Sequence, residues 1–198
     1  MPAAMQQNNQ SILYIFFGLI ASGKSILAKA WADVHEIPCY NSDIIRKELA
    51  GIMPADRSGD SLDHGIYSKE YSERTYDALL QKAEVHLNCN EAVVLDATYA
   101  SREKRMKARD LAARYSVPMV FVLCQCSEAE TRRRLEKRAK DPQAVSDGNW
   151  ETYQTMKQRF EPPDELSQAE CIFMSTEAAP EELVDILQEK LKKSVVDE

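Results

Sequence analysis

The sequence predicts an α/β fold: a three-layer αβα sandwich in which a five-stranded parallel sheet carries helices on both faces. Three observations lead there. Short, continuously apolar, β-prone runs recur at residues 12–17, 37–40, 92–96, 118–124 and 171–174, as expected of strands buried on both sides. Segments with helical periodicity separate these runs, so consecutive strands need crossover connections. A glycine-rich turn joins the first run to the first helical segment.

Taken in order, that turn reads Gly18-Leu19-Ile20-Ala21-Ser22-Gly23-Lys24-Ser25 and fits G-x-x-x-x-G-K-[ST], the phosphate loop of P-loop NTPases. The glycines let backbone N–H groups converge on phosphate oxygens, and the helix over 26–32 presents a positive dipole end to them. Gly18, Ala21, Ser22, Gly23, Lys24 and Ser25 are therefore the expected nucleotide-binding residues. Lys24 would reach the β- and γ-phosphates, and the Ser25 hydroxyl would bind Mg²⁺.

After the second strand, Asn41-Ser42 offers a cap for a short helix over 43–49 that stops at Gly51. Residues 51–65, rich in Pro, Gly, Asp and Ser, form a loop whose length suggests a functional role on the acceptor side. A long helix over 66–88 precedes the third strand. A basic helix over 102–115 precedes the fourth. Ser127-x-x-Glu130 is a capping-box signature for the next helix, which Asp141-Pro142 ends. Ser146-Asp147 would cap a further helix to about residue 160, stopped by Pro162-Pro163, and residues 128–160 form a lid region. Pro180 opens a final amphipathic helix with Leu183, Leu187 and Leu191 on one face. No linker or repeat divides residues 1–198, so one domain is expected behind a polar tail over 1–11.

The chain of 198 residues is 44% apolar and 29% charged, with net charge −7, which weighs against a general nucleic-acid binder. No run spans a bilayer and no signal peptide is evident, so a cytoplasmic protein without membrane contact is expected. The five cysteines show neither a C-x-x-C pair nor zinc spacing, and reduced, mostly buried thiols are expected. Basic residues nevertheless cluster in 102–109 and 132–140.

Parallel strands linked by right-handed crossovers put their C-terminal ends on one edge, where the phosphate loop, Asp43 and Asp96 all fall. Asp43-x-x-Arg46 places a carboxylate and a guanidinium on one helix face. Asp43 could take a hydroxyl proton and Arg46 could clamp the acceptor; equally, Asp43 could serve only the helix dipole. Arg134 and Arg138, one turn apart, suit a lid over the triphosphate, or a solvated basic face. Asp96 is a Mg²⁺ partner or a cap for the turn that follows it. His35 and His86, near helix ends, read as structural, and His64 falls in the acceptor-side loop. The Glu161-Pro162-Pro163-Asp164-Glu165 turn has no chemical reading.

The phosphate loop, Ser42-Asp43-Ile44-Ile45-Arg46-Lys47-Glu48-Leu49-Ala50-Gly51, Ile66-Tyr67-Ser68, Val94-Leu95-Asp96-Ala97-Thr98-Tyr99, Arg102-x-x-Arg105, Arg134-x-x-x-Arg138 and Val145-Ser146-Asp147 together resemble the ATP-dependent kinases with a single AAA-type phosphate-loop domain. More distantly they resemble polynucleotide 5′-hydroxyl kinases and zeta-toxin kinases. The resemblance implies that Lys24 and Ser25 hold ATP·Mg²⁺, that Asp43 is the general base and that Arg46 holds the acceptor. It makes Arg138 the lid arginine with Arg134 assisting, and gives Arg102 and Arg105 acceptor-binding or structural roles. One departure is Leu19-Ile20 in the loop, where relatives often carry Pro or Gly. The expected activity is transfer of the γ-phosphoryl of ATP to a hydroxyl of a small molecule or nucleoside. A polynucleotide 5′-kinase and a non-catalytic ATP-binding module or bare ATPase are the alternatives.

Overall fold

A computed structural model describes residues 11–53, 56, 62–141 and 148–196, with side chains to residue 193. Most of the 1–11 tail, residues 54, 55 and 57–61 of the acceptor-side loop, Pro142 and the Val145-Ser146-Asp147 landmark with its proposed cap lie outside the described residues.

The strands β1 (Leu13–Phe17), β2 (Cys39–Asn41), β3 (Val93–Asp96), β4 (Met119–Gln125) and β5 (Cys171–Ser175) form one parallel sheet in the order β2-β3-β1-β4-β5. The order reverses at β1, so a crevice opens beyond its C-terminal end, where ligands bind in such sheets. The helices are α1 (Lys24–His35), α2 (Ser42–Leu49), α3 (Lys69–Asn88), α4 (Arg102–Tyr115), α5 (Glu128–Ala139), α6 (Trp150–Arg159) and α7 (Pro180–Val196).

Alternation along the strands builds two cores. Leu13, Ile15 and Phe17 of β1, with Phe121 and Leu123 of β4, pack with Leu79 and Leu87 of α3 and Ala108 and Leu111 of α4. Phe16, Val94, Val122 and Cys124 point the other way, onto Leu27 and Trp31 of α1 and Leu183 and Leu187 of α7. A third, smaller cluster joins Ile20 and Ala21 of the phosphate loop to Leu135 of α5 and Tyr153 of α6. Leu19 and Ile20, the apolar departure in the loop, are thus what α5 and α6 pack against. Gly148 makes that approach possible, since a Cβ there would stand 2.9 Å from Ile20 Cδ1.

Several boundaries differ from the expected ones for local reasons. The segment entering α3 is a 3₁₀ turn over Gly65–Tyr67, and the helix starts only after Ser68, whose hydroxyl caps Tyr71 N–H. Asn149 caps α6 through Thr152 N–H. At α5 only half of the capping box forms: Ser127 Oγ accepts from Glu130 N–H, but Glu177 takes the Ser127 N–H and Glu130 turns to Arg133 and Arg134. Cys124 and Cys171 are buried, whereas Cys39 and Cys89 are exposed, contrary to the expectation that most are buried: one lies on the edge strand and the other at the end of α3.

Candidate active site

β1 ends at Gly18, whose φ of 137° is in the region glycine favours; a Cβ there would fall on the Cys124 carbonyl oxygen. Gly18 N–H donates to Thr98 O at 3.2 Å, tying the phosphate loop to the segment after β3. Gly23, with φ 84°, begins α1: its carbonyl accepts from Ile26 and Leu27 N–H. A Cβ on Gly23 would lie 2.6 Å from Thr176 Oγ1 and 2.8 Å from Arg134 Nη1.

Arg134 is accordingly built into the outer wall of the loop. Nη1 donates to Ala21 O (3.2 Å) and Thr176 Oγ1 (3.3 Å), Nε to Glu130 (2.7 Å), and Nη2 to Thr176 O, while Thr176 Oγ1 donates to Ser22 O. Hydrogen bonds from Arg133 and then Arg134 hold the Glu130 carboxyl down at about 2, against partial burial. These contacts make Arg134 a brace of the loop's backbone carbonyls.

Two cavities meet beside the loop. One, of about 300 Å³, is lined by Lys24, Asp43, Arg46, Tyr67, Tyr76, Lys104 and Arg159 among others. The other, a cleft along α1 and β2, is lined by Ser25, Asn41, Asp43, Asp96 and Arg138. Asp43 and Asn41 belong to both. Of the expected residues, Lys24, Asp43 and Arg46 therefore share the first cavity, and Ser25, Asp43, Asp96 and Arg138 share the second. Burial lowers the Arg138 pKa, and the Asp43 charge offsets part of this.

Asp96 ends β3 and is 2% exposed. Its Oδ2 accepts from Asn41 Nδ2 at 2.5 Å, and its Oδ1 is buried without a partner. Burial raises its pKa; the Lys24 charge, the neighbouring Ser25 hydroxyl and the Asn41 hydrogen bond oppose that. Asp96 lines the cleft with Ser25 and Arg138, not the first cavity. Asn41 also caps α2, its Oδ1 accepting from Asp43 and Ile44 N–H at 2.9 and 3.1 Å. It thus fixes the entry of the helix that carries Asp43 and Arg46.

Of the two roles the resemblance implies for Arg102 and Arg105, acceptor-binding or structural, the contacts of Arg105 are structural. Arg105 is fully buried: it donates to Glu165, Pro162 O and Tyr99 O. Arg102 is exposed, and its N–H donates to Glu161. Neither lines a cavity beside the loop. The Glu161–Glu165 turn, unread in the sequence, is the acidic socket that receives this end of α4. His35 Nδ1 donates to Trp31 O (2.8 Å) and His86 Nε2 shares a hydrogen bond with Tyr40 Oη (2.8 Å), both structural, while His64 is exposed and outside the cavity. Sequence reasoning did not single out Asn41 beyond its capping, nor Tyr76, Lys104, Arg159 and Thr176, because each is brought to the site by packing rather than by a local motif.

A parallel sheet of this order, with a glycine loop after the central strand and polar residues at the neighbouring strand ends, defines a P-loop fold of the nucleotide-kinase type. The chain belongs to the AAA domain family, whose sequence pattern matches residues 13–163. An uncharacterized protein of Mycobacterium tuberculosis is 29% identical over 118 residues, 60% of this chain and 24% of that protein. The chain thus spans about a quarter of the length of the curated relatives it matches. Among solved structures, a gluconokinase from Sinorhizobium meliloti superposes with a TM-score of 0.62 at 20% identity, covering 93% of each chain. Shikimate kinase from Aquifex aeolicus gives 0.60 at 16% identity, covering 93% of this chain and 98% of its own. Among the described residues no helix is long and apolar enough to cross a membrane.

Proposed function

We propose that this chain is an ATP-dependent kinase that transfers the γ-phosphoryl group to a hydroxyl of a small-molecule or nucleoside-type acceptor. The observation that carries this reading is the position of Asp43: among the described residues it is the one carboxylate shared by the cavity holding Lys24 and Arg46 and the cleft holding Ser25, Asp96 and Arg138. A hydroxyl in the first cavity would give its proton to Asp43 as its oxygen bonds to the γ-phosphorus. The bond from that phosphorus to the β-phosphate bridging oxygen breaks, and ADP leaves. Lys24 and Arg138 offset charge on the transferring group. The unpartnered, buried Oδ1 of Asp96 and the neighbouring Ser25 hydroxyl are hard oxygen donors that fit Mg²⁺. When bound, the ion would neutralise charge between the β- and γ-phosphates. That the gluconokinase and shikimate kinase share this fold supports the reading.

The polynucleotide alternative leans on the two basic helices, and their charge is largely engaged internally. Lys107 and Arg109 pair with Glu73 and Glu170, Arg133 and Arg134 with Glu130, and Arg132 lies over Trp150. The test is phosphate transfer from labelled ATP to a panel of metabolites and 5′-hydroxyl oligonucleotides. Asp43→Asn is expected to abolish transfer, by about 10²-fold or more, while ATP still stabilises the protein against heat. Unchanged transfer in that variant refutes the assignment. Lys24→Ala should lose the stabilisation by ATP.

A further inference from the structure

Two cations, Arg46 and Lys104, line the same cavity as Asp43, and among the described residues neither has a close ion-pair partner of its own. Arg46 is only 6% exposed. Its Nη1 donates to neutral oxygens, Ile66 O at 2.6 Å and Ser72 Oγ at 3.2 Å, and its guanidinium lies 5.0 Å from the Tyr67 ring centre. Its Nε is buried with no hydrogen-bond partner. Among the described residues Arg46 has no ion pair.

Lys104, on α4, is the second. Its side chain is 20% exposed and its Nζ stands 4.1 Å from the Tyr76 ring centre. Its nearest carboxylate is Glu73 at 4.0 Å, whose other oxygen serves Lys107 at 3.1 Å. Burial lowers the Lys104 pKa; Glu73 offsets part of this and the charge of Arg46 adds to it. Two like charges sharing an enclosed wall, one with an unmet buried donor, are unfavourable until an anion enters. The aromatic faces of Tyr67 and Tyr76 flank the same place, with Met156 and Ile20 as apolar wall.

We infer that Arg46 and Lys104 form a subsite for a negatively charged group on the acceptor, which is a small hydroxylated carboxylate or phosphate ester. This rests on the kinase reading of the same cavity. A neutral acceptor would bring no counter-charge to Arg46 and would leave Lys104 with Glu73 alone, 4.0 Å away. The cavity, about 300 Å³, is at the small end of ligand sites and fits one such molecule.

The test uses the full chain with ADP·Mg²⁺ at saturation, so that the phosphate loop is occupied. Binding is read by thermal stabilisation for matched probes: glycerol against glycerate and glycerol 3-phosphate, a nucleoside against its 3′-monophosphate, and inorganic phosphate alone. Anionic members should bind about tenfold or more tightly than their neutral partners, and less so in salt. The carboxylate and phosphate arms identify which anion is preferred. Lys104→Met should remove most of that preference and leave ADP·Mg²⁺ binding intact. Glu73→Gln, which does not touch the cavity, should strengthen anion binding by about two- to fivefold, and keeps the test open should Lys104→Met fold poorly. Equal binding of neutral and anionic probes, binding of none of them, or an unchanged preference in the variants overturns the subsite. Lys104-dependent anion binding with no phosphate transfer to any acceptor would instead overturn the kinase reading and leave the subsite standing.

Discussion

Asn41 and Asp96 are register partners at the C-terminal ends of β2 and β3, and the Asn41 amide donates to the Asp96 carboxylate at 2.5 Å. The same side chain caps α2 with its oxygen. One residue therefore orients both the carboxylate facing Ser25 and the helix that carries Asp43.

The two duties can be separated. Asn41→Ala should lower stability by about 1 kcal/mol for the lost cap and a further ~1–3 kcal/mol for the acceptor left unmet on Asp96. Asn41→Ser keeps a cap oxygen and should recover only the first part. Thermal unfolding without nucleotide measures stability. The Mg²⁺ dependence of ADP binding reports on Asp96, and it should weaken in both variants.

Arg134 and Arg133 share Glu130 but differ in everything else. Arg133 is 67% exposed at its side chain, whereas Arg134 braces Ala21 O and Thr176 beneath the phosphate loop. Arg134→Ala should weaken ADP binding by about 10- to 100-fold, from the loss of charge-assisted hydrogen bonds. Arg133→Ala should stay within about twofold. Calorimetric titration with ADP distinguishes them.

Arg105 and Glu165 give a stability prediction with a pH signature. Burial opposes charge on Glu165, but hydrogen bonds from Arg105 outweigh it and hold the carboxyl below its ordinary value. Because the folded pKa is depressed, the stabilisation is complete above the unfolded carboxylate pKa of about 4.3 and is lost as pH falls below it. Glu165→Gln leaves a buried, unpaired Arg105 and should cost about 3–5 kcal/mol at pH 7. The gap to the unsubstituted protein should close below about pH 4, as followed by urea unfolding across pH. Arg105→Ala should likewise reduce stability while leaving kcat/KM of the folded fraction within about twofold, since the side chain reaches no cavity wall.

The strands were legible because each is a short apolar run, and the phosphate loop because its constraints are local: a glycine where the chain approaches Cys124 O, another where α1 begins. Arg46 and Asp43 could be paired from spacing on one helix. Arg105 could not be sorted from Lys104 in the same way. They are adjacent in a basic helix, yet one turns into the Glu161–Glu165 socket and the other towards Tyr76. That choice depends on where a turn some sixty residues further along the chain supplies carboxylates. The bracing contacts of Arg134 were hidden for a related reason: its spacing from Arg138 gives a shared face, but not that Thr176, beyond β5, accepts from its guanidinium.

At the rim of the cavity that holds Lys24, Asp43 and Arg46, Arg159 at the end of α6 meets Asp63 at 2.7 Å. Both side chains are more than half exposed, at 57% and 55%, and an ion pair of that kind contributes about 0–1 kcal/mol and fades with salt. So weak a clasp exchanges its contents freely. A clasp of that strength does not by itself keep water out of the cavity.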